Sequence, residues 1–330
     1  MTEQVNQVQK KGRFAPRYID GQKVYPFVES RNLYFALAIG LIILGFVLAF
    51  WRGFELDIEF KGGSLVDYTY QGEINSDEVT AMLSERFSEP VNCQISRAIG
   101  SDESNLKVSV AGNEALTPEQ LDELTTLLNE QMPGHNFEIY EANLVSPSIG
   151  RELLRNGILA LLIASVLIIA YVWLSFRTMS GPSAGVMALV ALFHDTILAF
   201  LAFVIMGSAI NETLIAVILT ILGFSINDTI VIYDRIRENM RKYRNELNFT
   251  DILDLSLTQS LGRTISTSLC IFVAVVTAYI FALLYNLESI KEFALPILVG
   301  VISGTFSSIT ISTPLWAMWK MRGGRSGLEE

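Results

Sequence analysis

The chain has 330 residues, 51% of them hydrophobic and 18% charged, with a mean hydropathy of +0.40. A soluble domain carries roughly a quarter charged residues, so much of this chain is expected to face something other than water. The net charge of −10 hides an uneven distribution: residues 52–150 hold eighteen acids against five bases, and the remainder is slightly basic, which excludes a polybasic nucleic-acid footprint.

Residues 1–32 are mostly polar and read as an N-terminal tail. The first apolar run, 33–51, is long enough to cross a bilayer, which needs about 20 residues, and reads as an uncleaved anchor. Residues 52–156 then read as a small α+β domain. Leu56, Ile58 and Phe60 alternate with Asp57, Glu59 and Lys61 at strand spacing. Gly62-Gly63 is a turn signal, and 64–70 resumes the extended pattern. Ser76 is a candidate cap for a helix with Val79, Met82, Leu83 and Phe87 on one face. Strands are expected near 91–99 and 106–110. Thr117-Pro118-Glu119-Gln120 has the form of a capping box with Pro at the first helical position, and a last strand covers 137–144. The order βαββαβ after the first strand points to a ferredoxin-like sandwich.

Residues 157–318 contain five further apolar runs, at 157–175, 183–206, 213–233, 265–285 and 294–318, giving a polytopic α-helical membrane protein with six transmembrane helices. Arg and Lys collect in the first 32 residues, at Arg177, at Arg235–Arg244 and Arg263, and in the tail 319–330. In a six-pass chain all of these lie on one side, which the positive-inside rule makes cytoplasmic. The acidic domain 52–156 is then periplasmic, and the locale a bacterial inner membrane. The link carrying Ile252, Leu253, Leu255 and Leu257 is a candidate interfacial helix.

A charged side chain near the centre of a span costs about 2.5–3.5 kcal/mol on the insertion scale, so those present are candidates for function. Asn227 and Asp228 lie in the fourth span, where Asp228 is either a proton carrier or a polar packing contact. His194 and Asp195 lie near the middle of the third. Neighbours on a helix point about 100° apart, so these two are expected to face different partners, in a relay or a structural bond. Arg263, with Thr264, Ser266, Thr267 and Ser268, starts the fifth span; it either snorkels to the headgroups or reaches inward as the counter-charge of Asp228. Gly300, Ser303, Gly304, Ser307 and Ser308 put small residues at helical spacing in the sixth span and read as packing, with Pro314 a candidate kink. Cys93 and Cys270 lie in different media, so no disulfide is expected. The two histidines lack neighbours with metal-ligand spacing, and no P-loop or nucleophile motif appears. No enzymatic activity, metal or cofactor is expected.

Several strings together resemble one family. Leu56-Asp-Ile-Glu-Phe-Lys-Gly-Gly-Ser64, Ala191-Leu-Phe-His-Asp195, Gly223-Phe-Ser-Ile-Asn-Asp-Thr-Ile-Val-Ile-Tyr-Asp-Arg-Ile-Arg-Glu-Asn239 and Ser260-Leu-Gly-Arg-Thr264 with Ser266-Thr-Ser268 resemble, in order, the motifs of the SecD/SecF family of protein-export membrane proteins, on its SecF branch. The resemblance covers about residues 30–320. Glu59 stands where Asp is common, Ser64 where Thr is common, and Phe224 and Tyr233 replace other aromatics. It implies half of a unit related to RND exporters, paired with SecD and working beside the SecYEG channel, the SecA ATPase and YajC. Such a unit draws on the proton-motive force, its energy source in place of a cofactor, to promote preprotein export. It implies that Asp228 and Arg263 belong to proton conduction, with Asn227, His194 and Asp195 nearby, and that Lys61-Gly62-Gly63 is a structural motif of the outer domain. Half of a small-molecule exporter, or a non-conducting scaffold for the channel, are the competing readings.

Overall fold

The computed structural model describes residues 16–53, 56–57, 60, 62–86, 91–97, 103–112, 116–145, 147–177, 181–285 and 287–322. Six helical segments in it are long and apolar enough to cross a bilayer. They are α1 (Arg31–Arg52), α4 (Pro147–Ser175), α5 (Gly181–Met206), α6 (Glu212–Tyr243), α7 (Phe249–Leu284) and α8 (Glu288–Ser307), the last continued through a π-helical turn (Ser308–Ser312) into α9 (Thr313–Arg322). The most apolar windows of α5, α6 and the α8–α9 segment are 50%, 44% and 67% buried, against 6% for α1, α4 and α7. Three helices therefore form an inner layer, and three apolar helices coat it.

The close fit of the inner layer follows from small residues. A Cβ at Gly300 of α8 would strike the Ile221 side chain, and one at Gly304 would come within 3.0 Å of the Ser225 Cβ, both on α6. Pro296 sits inside α8, where it removes one i→i−4 bond without ending the helix. Pro314 follows directly on the π turn in the same continuous helix, where its missing N–H removes one backbone bond. The irregularity of this span is the π turn just before it.

The α+β domain inserted between α1 and α4 carries, among the described residues, a four-stranded antiparallel sheet in the spatial order 91–97, 103–111, 63–71, 138–145. The strands are β3 (Gly63–Gln71), β4 (Val91–Arg97), β5 (Glu103–Ala111) and β6 (Glu138–Val145), with α2 (Ser76–Arg86) and α3 (Pro118–Gln131) between them. Val66, Tyr68 and Tyr70 alternate inward and meet Val79, Leu83, Leu124 and Leu128 in one core; burying each Leu contributes about 1.5–3 kcal/mol. The capping box of α3 forms as its sequence predicts: Gln120 N donates to Thr117 Oγ1 at 3.3 Å and Thr117 N donates to Gln120 Oε1 at 2.9 Å. Ser76 is the first residue of α2 rather than its cap.

Two further expectations fail here, and the N-terminal tail holds a hairpin. Leu56 makes an isolated bridge to Ile210 and regular strand begins only at Gly63; Ile58, Glu59 and Lys61 lie outside the described residues. Residues 17–24 of the tail form a hairpin, β1 (Arg17–Ile19) with β2 (Gln22–Val24), its Ile19 and Val24 packed on Tyr243, Ile252 and Leu255. The segment with Ile252, Leu253, Leu255 and Leu257 is no separate interfacial helix. It is the start of α7, and those four side chains are 0–1% exposed, because the hairpin, α6 and α9 cover them.

Candidate functional site: two acids inside the helix bundle

Asp195 of α5 is fully buried and sits in a cage of hydroxyls. Ser225 of α6 and Ser307 of α8 each donate to its Oδ2 at 2.7 Å, and Ser303 of α8 donates to Oδ1 at 2.5 Å. His194 Nδ1 stands 3.1 Å from the same Oδ1 and 3.4 Å from Ser303 Oγ. Both neighbours thus reach one partner, contrary to the helical-wheel expectation, because Ser303 lies between them. The arrangement also corrects the reading of the sixth span as packing alone: the glycines pack, while the serines beside them bind a carboxylate. Three helices are held through one side chain, and bonds to a charged acceptor are worth about 1.5–3 kcal/mol each in water-soluble proteins.

Asp228 lies three residues beyond Ser225 on α6 and is 6% exposed. Its carboxylate accepts one hydrogen bond, from Ser268 Oγ of α7 at 3.1 Å; Thr305 of α8 donates in turn to Ser268 at 2.6 Å. Among the described residues no cation pairs with it. Arg263 is exposed on α7 five residues before Ser268, so the two are not brought together as counter-charges. Asn227, beside Asp228, is also exposed.

From Asp195 a column of polar side chains runs along α6. Ser225, Thr229 and Tyr233 recur every four residues along α6 and face the π turn: Thr229 Oγ1 is 2.9 Å from Ser308 Oγ, Ser308 donates to the Ser225 carbonyl at 3.2 Å, and the Tyr233 hydroxyl is 2.7 Å from Ser312 Oγ and 3.1 Å from the Ala184 carbonyl it donates to. The wider π turn brings Ser308 and Ser312 into line with α6, as π turns at functional sites commonly do. Sequence reasoning did not single out Ser225. Its available signal was a serine placed to share a face with Thr229 in an otherwise apolar helix.

In the outer domain Gly62 takes φ +87, which favours glycine, and a Cβ at Gly63 would strike the Val110 carbonyl. These two positions are structural; Lys61 lies outside the described residues.

Six spans around an intramembrane polar core define a multi-pass membrane protein. A model of the family described as "Protein export membrane protein SecD/SecF, C-terminal" matches residues 125–322. Protein translocase subunit SecF of Rickettsia akari is 32% identical over 94% of this chain and 95% of its own length; that of Alicyclobacillus acidocaldarius is 30% identical over 90% and 94%. The crystal structure of SecDF, a translocon-associated membrane protein from Thermus thermophilus, aligns with TM-score 0.71 at 28% identity, covering 91% of this chain and 39% of that one. A super-membrane-facing form of SecDF aligns at 0.66 over 92% and 40%. The chain belongs to the SecD/SecF family.

Proposed function

We infer that this chain is a SecF-type subunit that uses the proton gradient across the bacterial inner membrane to promote preprotein export, with Asp228 as the proton carrier. The observation that carries the reading is the contrast between the two acids. Asp195 has three hydroxyl donors and an imidazole around it, whereas Asp228 has a single serine. Three donors hold the first carboxylate in one place, while the second, with one donor, is the freer of two intramembrane acids, a residue type that marks proton relays. Ser268 and Thr305 then serve as its last relay. Exposed polar residues on the flanking faces, Asn227 on α6 with Arg263 and Ser266 on α7, fit a protein partner better than lipid. SecD is the partner the SecDF structures suggest; the chain matches only about two-fifths of their length. The SecYEG channel, SecA and YajC complete the proposed setting. The basic flanks support a topology with both termini in the cytoplasm and the acidic domain in the periplasm.

Proton uptake into liposomes containing the chain with SecD, followed by an internal pH dye, tests this. Asp228→Asn is expected to abolish uptake while the complex stays assembled. Uptake at the normal rate would leave the scaffold reading.

A further inference from the structure

Among the described residues, a charged side chain joins the sheet domain to the bundle, on a helix that also grips Asp195. Glu292, the fifth residue of α8, accepts from Gln94 Nε2 of β4 at 3.3 Å and from Asn211 Nδ2, the cap of α6, at 3.4 Å. One carboxylate thereby ties the sheet, the start of α6 and the start of α8. A second tie is to the loop before α6, where Asp57 N donates to the Ile210 carbonyl at 2.9 Å. Eleven and fifteen residues further along α8 are Ser303 and Ser307, which bind Asp195; the first spacing is about 16 Å of helix. Gly300 and Gly304 seat this stretch directly on α6, and the π turn at Ser308 follows at once.

We propose that α8 is the rod that carries movement from the Asp195 cage to the sheet domain, and that Glu292 is the positioning residue that hands it over. The physical basis is tightness at one end and irregularity at the other. Between Gly300 and Ser307 the helix cannot shift without disturbing the bonds on Asp195, since small residues leave no slack against α6. At the π turn the backbone bonding pattern changes, so α8 can shift relative to α9. A displacement of the cage therefore travels toward Glu292, and there it reaches β4 through hydrogen bonds rather than an apolar contact that would slide. This rests on the proposed function only in that proton uptake at Asp228 disturbs the Ser268–Thr305 link by which that acid reaches α8.

The test is a distance. Spin labels at Glu130→Cys on α3 and Leu284→Cys on α7, with Cys270 replaced by Ala and buried Cys93 left in place, report the domain against the bundle in the full chain reconstituted with SecD. Ser303→Ala/Ser307→Ala, which frees α8 from Asp195, is expected to shift the distance by about 2 Å, the scale of a helix translation. The shift should vanish in a Glu292→Ala background and return with Glu292→Gln, which keeps an acceptor oxygen. A cage variant with the unchanged distance would overturn the rod, and a shift that persists in Glu292→Ala would overturn the role of Glu292. Should the double replacement not fold, Ser303→Ala alone makes the same comparison. The readout is independent of proton uptake, so its failure leaves the Asp228 reading standing.

Discussion

At the scale of single residues, environment separates groups of the same chemistry. In the sheet domain, burial pushes the Asp67 carboxyl above its ordinary range, Lys107 pulling it back and Glu141 adding to the rise. An acid raised in the fold is disfavoured there in its charged form, so its penalty is present at neutral pH and fades as pH falls through its titration. Asp67→Asn should therefore raise the melting midpoint at pH 8, with the gain gone by about pH 3; a gain equal at both pH values would contradict this. Burial likewise pushes the Cys93 thiol up to about 12, partly offset by its bond with Thr80. At pH 8 roughly one Cys93 in 10⁴ is then a thiolate. A water-soluble maleimide is expected to leave it unlabelled in the native protein and to label it fully after denaturation. Of the acids, Asp228 and Asp195 were legible in the sequence because a charge in an apolar run stands out. The serines around Asp195 were not, since a small polar residue in a span reads the same whether it packs or donates.

At the scale of elements, the apolar runs located six spans but not their ends. Hydropathy stops where polar residues begin, yet α6 runs on to Tyr243 and α7 starts at Phe249, because the N-terminal hairpin gives these extensions a surface to pack on. Arg17 bridges Glu29 and Asp251, Val28 N donates to Asp254 Oδ1 at 2.9 Å, and the Tyr243 hydroxyl donates to Asp20 at 2.9 Å. No local pattern announces such a partner more than 200 positions away. Ile19→Asp should loosen the hairpin by about 1–3 kcal/mol, and because each 1.4 kcal/mol is tenfold in an opening equilibrium, tryptic cleavage at Arg244 should accelerate roughly tenfold. An unchanged rate would mean that the hairpin does not hold the end of α6. At the other contact, Gly300→Val overpacks α8 against Ile221 and should cost about 1–3 kcal/mol, read as a lower thermal midpoint in detergent; an unchanged midpoint would refute the tight α6–α8 fit.

At the scale of the whole molecule, inner and outer helices divide the labour. The coat of α1, α4 and α7 is mostly apolar, and the inner helices carry the acids and most of the hydroxyls around them, α7 adding Ser268. Motifs in the right order named the family, and capping chemistry located α3, because both signals are local in sequence. The join between sheet and bundle at Glu292 was hidden, since Gln94 and Asn211 are ordinary polar residues until the fold brings them together. The central claim is that Asp228 couples the gradient to export. Preprotein translocation into inverted membrane vesicles carrying Asp228→Asn with SecD, with and without a proton gradient, tests it most directly. The mutant should keep the gradient-independent part of translocation and lose the gradient-dependent part; retention of full gradient dependence in a normally assembled complex would contradict the account.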